Sequence, residues 1–212
     1  MVFSQEFLNL DFEYEIQGTS IPRKWRIINN GYKTELEAKV KFSAAKGLRI
    51  QSDNPTKNQF GGCASSFPVD LVRGKSVEFK GKIKTASLIN GYAGLWWRVD
   101  GEKGILGFDN MADRGVKGTQ DWTNASIRMK VAKNAIDINF GALFSGEGTA
   151  WFDDFEIFID GEKFTDVKPR LTESTKEELA WLKKYIYPLK TVDPGTAVNQ
   201  DLKVLQKLVG DV

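Results

Sequence analysis

The chain of 212 residues contains no histidine and one cysteine. Without histidine neither a Ser-His-Asp nor a Cys-His relay can be assembled, because both need an imidazole to carry the proton. The same absence, with a lone thiol, leaves too few ligands for a zinc site. Cys63 has no partner for an internal disulfide, so it packs as a small hydrophobe or stays a reactive thiol. No apolar run approaches the roughly eighteen residues of a membrane-spanning helix. A surplus of one charge is also missing: 30 basic and 28 acidic residues leave a net charge of +2. That balance gives no electrostatic reason to expect DNA, RNA or anionic lipid. Met1-Val2-Phe3-Ser4-Gln5 lacks the basic head and apolar stretch of a signal peptide. A native start and the remnant of a trimmed export signal, with secretion or a periplasmic location, both fit it.

What is present is alternation. Leu8, Leu10, Phe12 and Tyr14 share one face of an extended segment, with Asn9, Asp11, Glu13 and Glu15 on the other. Leu36, Ala38, Val40 and Phe42 repeat the pattern. Further strand candidates are 48–52, 77–85, 93–99, 105–109, 125–131, 136–144 and 149–159. The turns Asp100-Gly101-Glu102-Lys103 and Asp160-Gly161-Glu162-Lys163 carry the same four residues, and Asp-Gly is a strong hairpin signal. The pattern predicts an all-β fold over residues 1–168, an antiparallel two-sheet jelly-roll sandwich. Leu10, Phe12, Phe79, Trp97, Ile127, Ile138 and Ile157 are its expected core.

Composition changes after Lys168-Pro169-Arg170. Ser174 and Glu177 have capping-box spacing, and Leu179, Leu182 and Ile186 then fall on one helical stripe that Pro188 ends. Residues 169–212 are therefore expected to form a short α-helical tail. Leu202, Leu205 and Leu208 suggest a second short helix closed by Gly210. Two short helices do not bury their own stripes, so the tail is expected to pack on the sandwich or on a further domain.

A ligand site is expected in the middle of the chain. Trp96 and Arg98 alternate onto one face of their strand, with Tyr92 on the same side, while Leu95 and Trp97 point into the core. Asp109, Asn110, Arg114 and Trp122 lie in or beside a polar, glycine-bearing loop. These residue types suit a sugar: an aromatic ring accepts the C–H face of a pyranose, and polar groups pair with its hydroxyls. Each residue also has a plainer use. Trp96 and Trp122 can be packing residues, Arg98, Asp109 and Arg114 a salt-bridged cluster fixing the loop, and Asn110 a turn cap.

Three sets of residues carry a resemblance to known families. Glu177-Glu178-Leu179-Ala180-Trp181-Leu182-Lys183-Lys184, followed by Tyr187-Pro188-Leu189-Lys190-Thr191-Val192-Asp193-Pro194-Gly195, resembles the opening of the erythromycin-esterase-like hydrolases. In that family the catalytic Gly-Glu-Ala-Thr-His-Gly motif follows shortly afterwards, and this sequence ends at Val212 before any such motif. The block from Gly91 through Trp96-Trp97-Arg98 to Trp122 resembles β-sandwich domains found ahead of bacterial hydrolase domains. Leu10-Asp11-Phe12-Glu13, Lys46-Gly47-Leu48-Arg49-Ile50 and Trp151-Phe152-Asp153-Asp154-Phe155-Glu156-Ile157 resemble carbohydrate-binding modules of the galactose-binding-like fold. Together these matches cover most of residues 8–160. They imply a non-catalytic accessory module with a glycan ligand, leading a hydrolase domain that lies outside this sequence. They also imply a structural calcium at Glu13, Asp153 and Asp154, whose oxygens are the ligands that ion prefers. Apart from that ion no cofactor is expected. The alternative for these carboxylates is exposure to water, or hydrogen bonds from Asp153 to nearby backbone.

Two other functions stand beside this one. The first is a purely structural domain packed on the catalytic domain. The second is a free-standing jelly-roll glycosidase using two carboxylates, with Asp109 and Glu156 as the pair that can be named.

Overall fold

The computed structural model describes residues 8–16, 18–53 and 59–165. Over these residues the chain is almost entirely antiparallel β. The strands are β1 (Arg26–Ile28), β2 (Tyr32–Glu37), β3 (Gly47–Ser52), β4 (Phe60–Ser66) and β5 (Ser76–Gly101). They continue with β6 (Gly104–Asp109), β7 (Val116–Lys130), β8 (Asp137–Ser145), β9 (Glu147–Ile159) and β10 (Glu162–Lys163). The expected all-β sandwich is therefore what forms. The helical tail after 168, and the boundary drawn there, lie outside the described residues.

Hydrogen bonding follows the order β1-β4-β8-β5-β9-β3-β2, with β6 and β7 also on β5 and β10 on β9. β5 makes this path two layers. Its first half pairs with β7 and β9, from Val77 opposite Met129 and Ile159 onward. Its second half, Ala93 to Asp100, pairs with β8, and Trp97 to Gly101 pairs with β6. Between the halves the register slips repeatedly, and Ser87 and Asn90 take left-handed backbone with φ of 54° and 58°. Such bulges turn a strand out of one sheet and into the next. Gly91 sits at this corner because a Cβ there would come 2.2 Å from the carbonyl oxygen of Ser145.

The core lies between the two halves. Phe79 in the first half of β5 meets Trp97 in the second at 5.9 Å between ring centres, and both meet Phe140 of β8. Phe155, Trp25 and Phe12 extend this aromatic cluster. All seven expected core residues are buried. Cys63 lies in the same buried cluster, and burial pushes its thiol up to about 12, so it is a packed, inert side chain.

Three local readings are corrected. Residues 8–15 alternate in sequence but form no strand: Asn9 and Phe12 each have φ of 58°, and the segment coils under the core. Asn9 is fully buried and holds the coil, its amide donating to the carbonyls of Tyr14 and Arg23 at 2.8 and 3.0 Å. The alternation beginning at Leu36 ends with β2 at Glu37, and Phe42 stays exposed. The two Asp-Gly-Glu-Lys segments also turn differently. In the second, Asp160-Gly161 is the two-residue loop, with φ of 50° and 88°. In the first, Gly101 pairs with Gly104, so Glu102-Lys103 is the loop and Asp100 stays in the strand. That shift delivers the Asp100 carboxylate to the surface described next.

Candidate functional site

The outer face of the β6-β5-β8-β4-β1 layer is a groove of about 1300 Å³. Strand register arranges it in rows. Asp100 pairs with Asp137 at one end. Arg98 pairs with Asn139, which pairs with Ser66, and Phe108 lies on the other side of Arg98. Trp96 then pairs with Gly141, Gly141 with Ala64, and Ala64 with Arg26. The next row is Gly94, Leu143, Gly62 and Ile28. Tyr92 and Phe60 flank Ser145 beyond it.

Trp96 forms the floor. Its Nε1 crosses β8 to donate to the carbonyl of Cys63 on β4 at 3.3 Å, so the indole spans the Gly141 position. Glycine is required there, since a Cβ would come 3.0 Å from that Nε1 and 1.9 Å from the Cys63 oxygen. Trp96 packs with Ala64, Leu143, Ile28 and Tyr92 in a small apolar cluster distinct from the main core. It is 9% exposed, so what remains open to the groove is a patch of ring rather than a whole side chain.

Polar groups rim this floor in fixed positions. The Arg98 guanidinium forks onto Asp100, Nε to Oδ2 at 2.8 Å and Nη2 to Oδ1 at 2.7 Å. That hydrogen bond and the Asp100 charge raise the Arg98 pKa further above its ordinary value. Asn139 Nδ2 donates to Asp137 at 2.7 Å and its Oδ1 accepts from Ser66 at 3.2 Å. Asn110 Oδ1 accepts from the N–H of Ala112 at 3.2 Å. Its Nδ2 has no partner among the described residues and is available to a ligand oxygen.

The expected site residues thus separate into three groups. Trp96, Arg98 and Asn110 line the groove. Asp109 and Arg114 fold the loop beside it: Arg114 Nη2 donates to Asp109 Oδ2 at 2.6 Å, and Asp109 Oδ1 accepts from the N–H of Met111. Trp122 is not part of this surface and stacks edge-on against Phe42 at 5.8 Å. Glu156 sits on β9, hydrogen-bonded to Lys163, and is not a groove residue either, so Asp109 and Glu156 do not face one cleft. The residues that sequence reading missed are Arg26, Asp137, Asn139 and Leu143. Their signal is pairing with the Trp96 strand, which is non-local.

Burial raises the Asp109 carboxyl, but the Arg114 hydrogen bond, the Met111 N–H and the Arg114 charge outweigh it and hold its pKa below the usual value. A depressed carboxylate stabilises the fold above its unfolded pKa, and that contribution is lost as pH falls through the lower folded pKa. Loop 109–114 is therefore expected to loosen in acid. Protection of the Met111 and Arg114 amides, taken relative to intrinsic exchange at each pH, should fall as pH drops below the ordinary aspartate range, and Asp109→Asn should show reduced protection already at neutral pH.

Glu13, Asp153 and Asp154 do not fit a calcium site. Glu13 Oε1 accepts the N–H groups of Ala45 and Lys46 at 2.9 and 3.0 Å. Asp153 Oδ2 accepts those of Phe42 and Ser43 at 2.7 and 2.9 Å, and Oδ1 accepts that of Asp154 at 2.7 Å. Glu13 Oε1 and both oxygens of Asp153, which a cation would need, already face N–H donors. Among the described residues no group of three or more acidic, thiol or imidazole side chains is placed to hold a metal.

No family model matches the chain. A stretch of 96 residues is 35% identical to the HTH-type transcriptional regulator YbfP of Bacillus subtilis, covering 45% of this chain and 32% of that protein. The match therefore spans about a third of the curated relative's length. Among solved structures, a cyclase from Fischerella superposes with a TM-score of 0.54 at 8% identity, over 74% of this chain and 96% of that one. The CBM22-1 xylan-binding domain of Paenibacillus barcinonensis Xyn10C is similar at a TM-score of 0.45 and 19% identity, over 68% of this chain and 88% of that domain. The cyclase likeness establishes the sandwich fold and nothing about chemistry, because one fold hosts many activities.

Proposed function

We propose that residues 8–165 form a non-catalytic carbohydrate-binding module whose ligand lies along the groove floored by Trp96. The observation that carries this reading is the Trp96 indole, tied across Gly141 to the Cys63 carbonyl inside a rim of positioned polar groups. A pyranose has an apolar face and a polar edge, and this surface offers the complement of each: ring and aliphatic floor below, carboxylates, amides and guanidinia around it. Phe108, 52% exposed at the groove margin beside Arg98, supplies a second apolar contact.

We further propose that the module serves a longer protein, leading an erythromycin-esterase-like hydrolase, as the resemblance of residues 177–195 implies. The match of 96 residues to a transcriptional regulator supports a portable unit used beside different partners. Isothermal titration against soluble plant and bacterial polysaccharides tests the binding reading. Saturable binding with no reducing ends released over hours is the expected result. Absence of binding to every polysaccharide would favour the structural alternative, and multiple turnovers abolished by one groove carboxylate substitution would favour the glycosidase.

A further inference from the structure

The groove contains two cations among its described lining residues, and they are in different states. Arg98 is forked onto Asp100. Arg26 is exposed and has no hydrogen-bond or ion-pair partner among the described residues. It stands in the same row as Trp96, three strands away, with only Gly141 and Ala64 between. Adjacent strands are roughly 4.8 Å apart, so the two Cα atoms are separated by about 14 Å. The indole already covers the inner part of that span, because its Nε1 reaches the Cys63 carbonyl on β4. The residues between them, Gly141 and Ala64, are small. Groove acids lie elsewhere: Asp137 is engaged by Asn139 at the Asp100 end, and Glu147 lies beside Tyr32 at the other.

We propose that the groove selects acidic carbohydrate, with Arg26 reading the carboxylate of a uronic acid whose ring lies on Trp96. This rests on the sugar-binding reading above and adds the class of sugar. A uronate carries its carboxylate on the ring carbon next to the ring oxygen, and a ring placed on Trp96 with that carbon toward β1 brings the carboxylate to Arg26. Guanidinium and carboxylate then match as planar fork and planar acceptor, a geometry lysine does not reproduce. Neutral sugars make the same stacking contact and leave Arg26 in water.

The test compares glucuronoxylan and polygalacturonate, each with its own carboxyl-reduced form, by titration calorimetry on the native chain, Arg26→Gln and Trp96→Ala. The expected preference of the native chain for an acidic polymer over its reduced form is about tenfold, the scale of one charge-assisted hydrogen bond. Arg26→Gln should bring affinity for the acidic polymer down to that for its reduced form, with a smaller loss on the reduced form than on the acidic one, and rising NaCl should shrink the native preference. Arg26 is exposed, so unchanged melting of Arg26→Gln confirms an intact fold. Equal affinity for acidic and reduced forms, or equal losses on both in Arg26→Gln, overturns the inference and leaves the sugar-binding reading standing. Binding of neither form by the native chain overturns both.

Discussion

Asp153→Ala is expected to lower the unfolding free energy by about 2–4 kcal/mol, the scale of stranding several hydrogen-bond donors of one carboxylate. Asp153 is fully buried and accepts from Phe42, Ser43 and Asp154. Alanine leaves these donors without their acceptor and opens a void beneath the segment leading into β3. Burial raises the Asp153 pKa, against the opposing N–H groups of Ser43, Phe42 and Asp154. Asp153→Asn keeps one carbonyl acceptor and removes the buried charge, so its loss should be about 1 kcal/mol. Chemical denaturation of the three proteins checks the order. Equal stability of Asp153→Ala and the native chain would show that the clamp contributes nothing, and a calcium-dependent rise in native stability would restore the metal reading.

Trp96→Ala is expected to weaken polysaccharide binding by about 1–3 kcal/mol, or roughly five- to more than a hundredfold, the range for truncating a central aromatic contact. The side chain belongs to the small outer cluster, outside the main core, so the sandwich should remain folded although less stable. Trp96→Phe separates the two contributions. It keeps a ring over Gly141 but loses the bond to Cys63, so part of the affinity should survive. A Trp96→Ala protein that folds and binds as the native chain does would remove the indole from the site.

Most of the sandwich was legible because period-two alternation reports burial directly, whatever the strand order. It marked β3, β6, β8, β9 and both halves of β5 as separate runs. Three kinds of feature escaped it. β4, Phe60-Gly61-Gly62-Cys63-Ala64-Ser65-Ser66, carries no apolar alternation and gave no strand signal. At 8–15 the apolar residues are buried as expected, yet Asn9 satisfies the backbone locally and replaces a strand by a coil. In the groove, the faces of Trp96 and Arg98 follow from alternation along one strand. Their neighbours Asn139, Gly141 and Arg26 follow only from register between strands distant in sequence, which side-chain period does not encode. Trp122 illustrates the converse: it is near the groove residues in sequence, and β7 carries it to Phe42.

Because β5 is a member of both layers, the sandwich has no seam. Removing either half of this strand strips β8 or β9 of a ladder partner, so neither sheet is a unit that can close by itself. Folding must therefore wait for pairings between remote segments, such as Arg26 with Ala64 and Ala64 with Gly141, before the interior is sealed. Topologies dominated by such contacts acquire their structure slowly and in one cooperative event. For the groove built on the second half of the strand, this means that its surface does not exist ahead of the fold: the groove and the opposite sheet form and melt together.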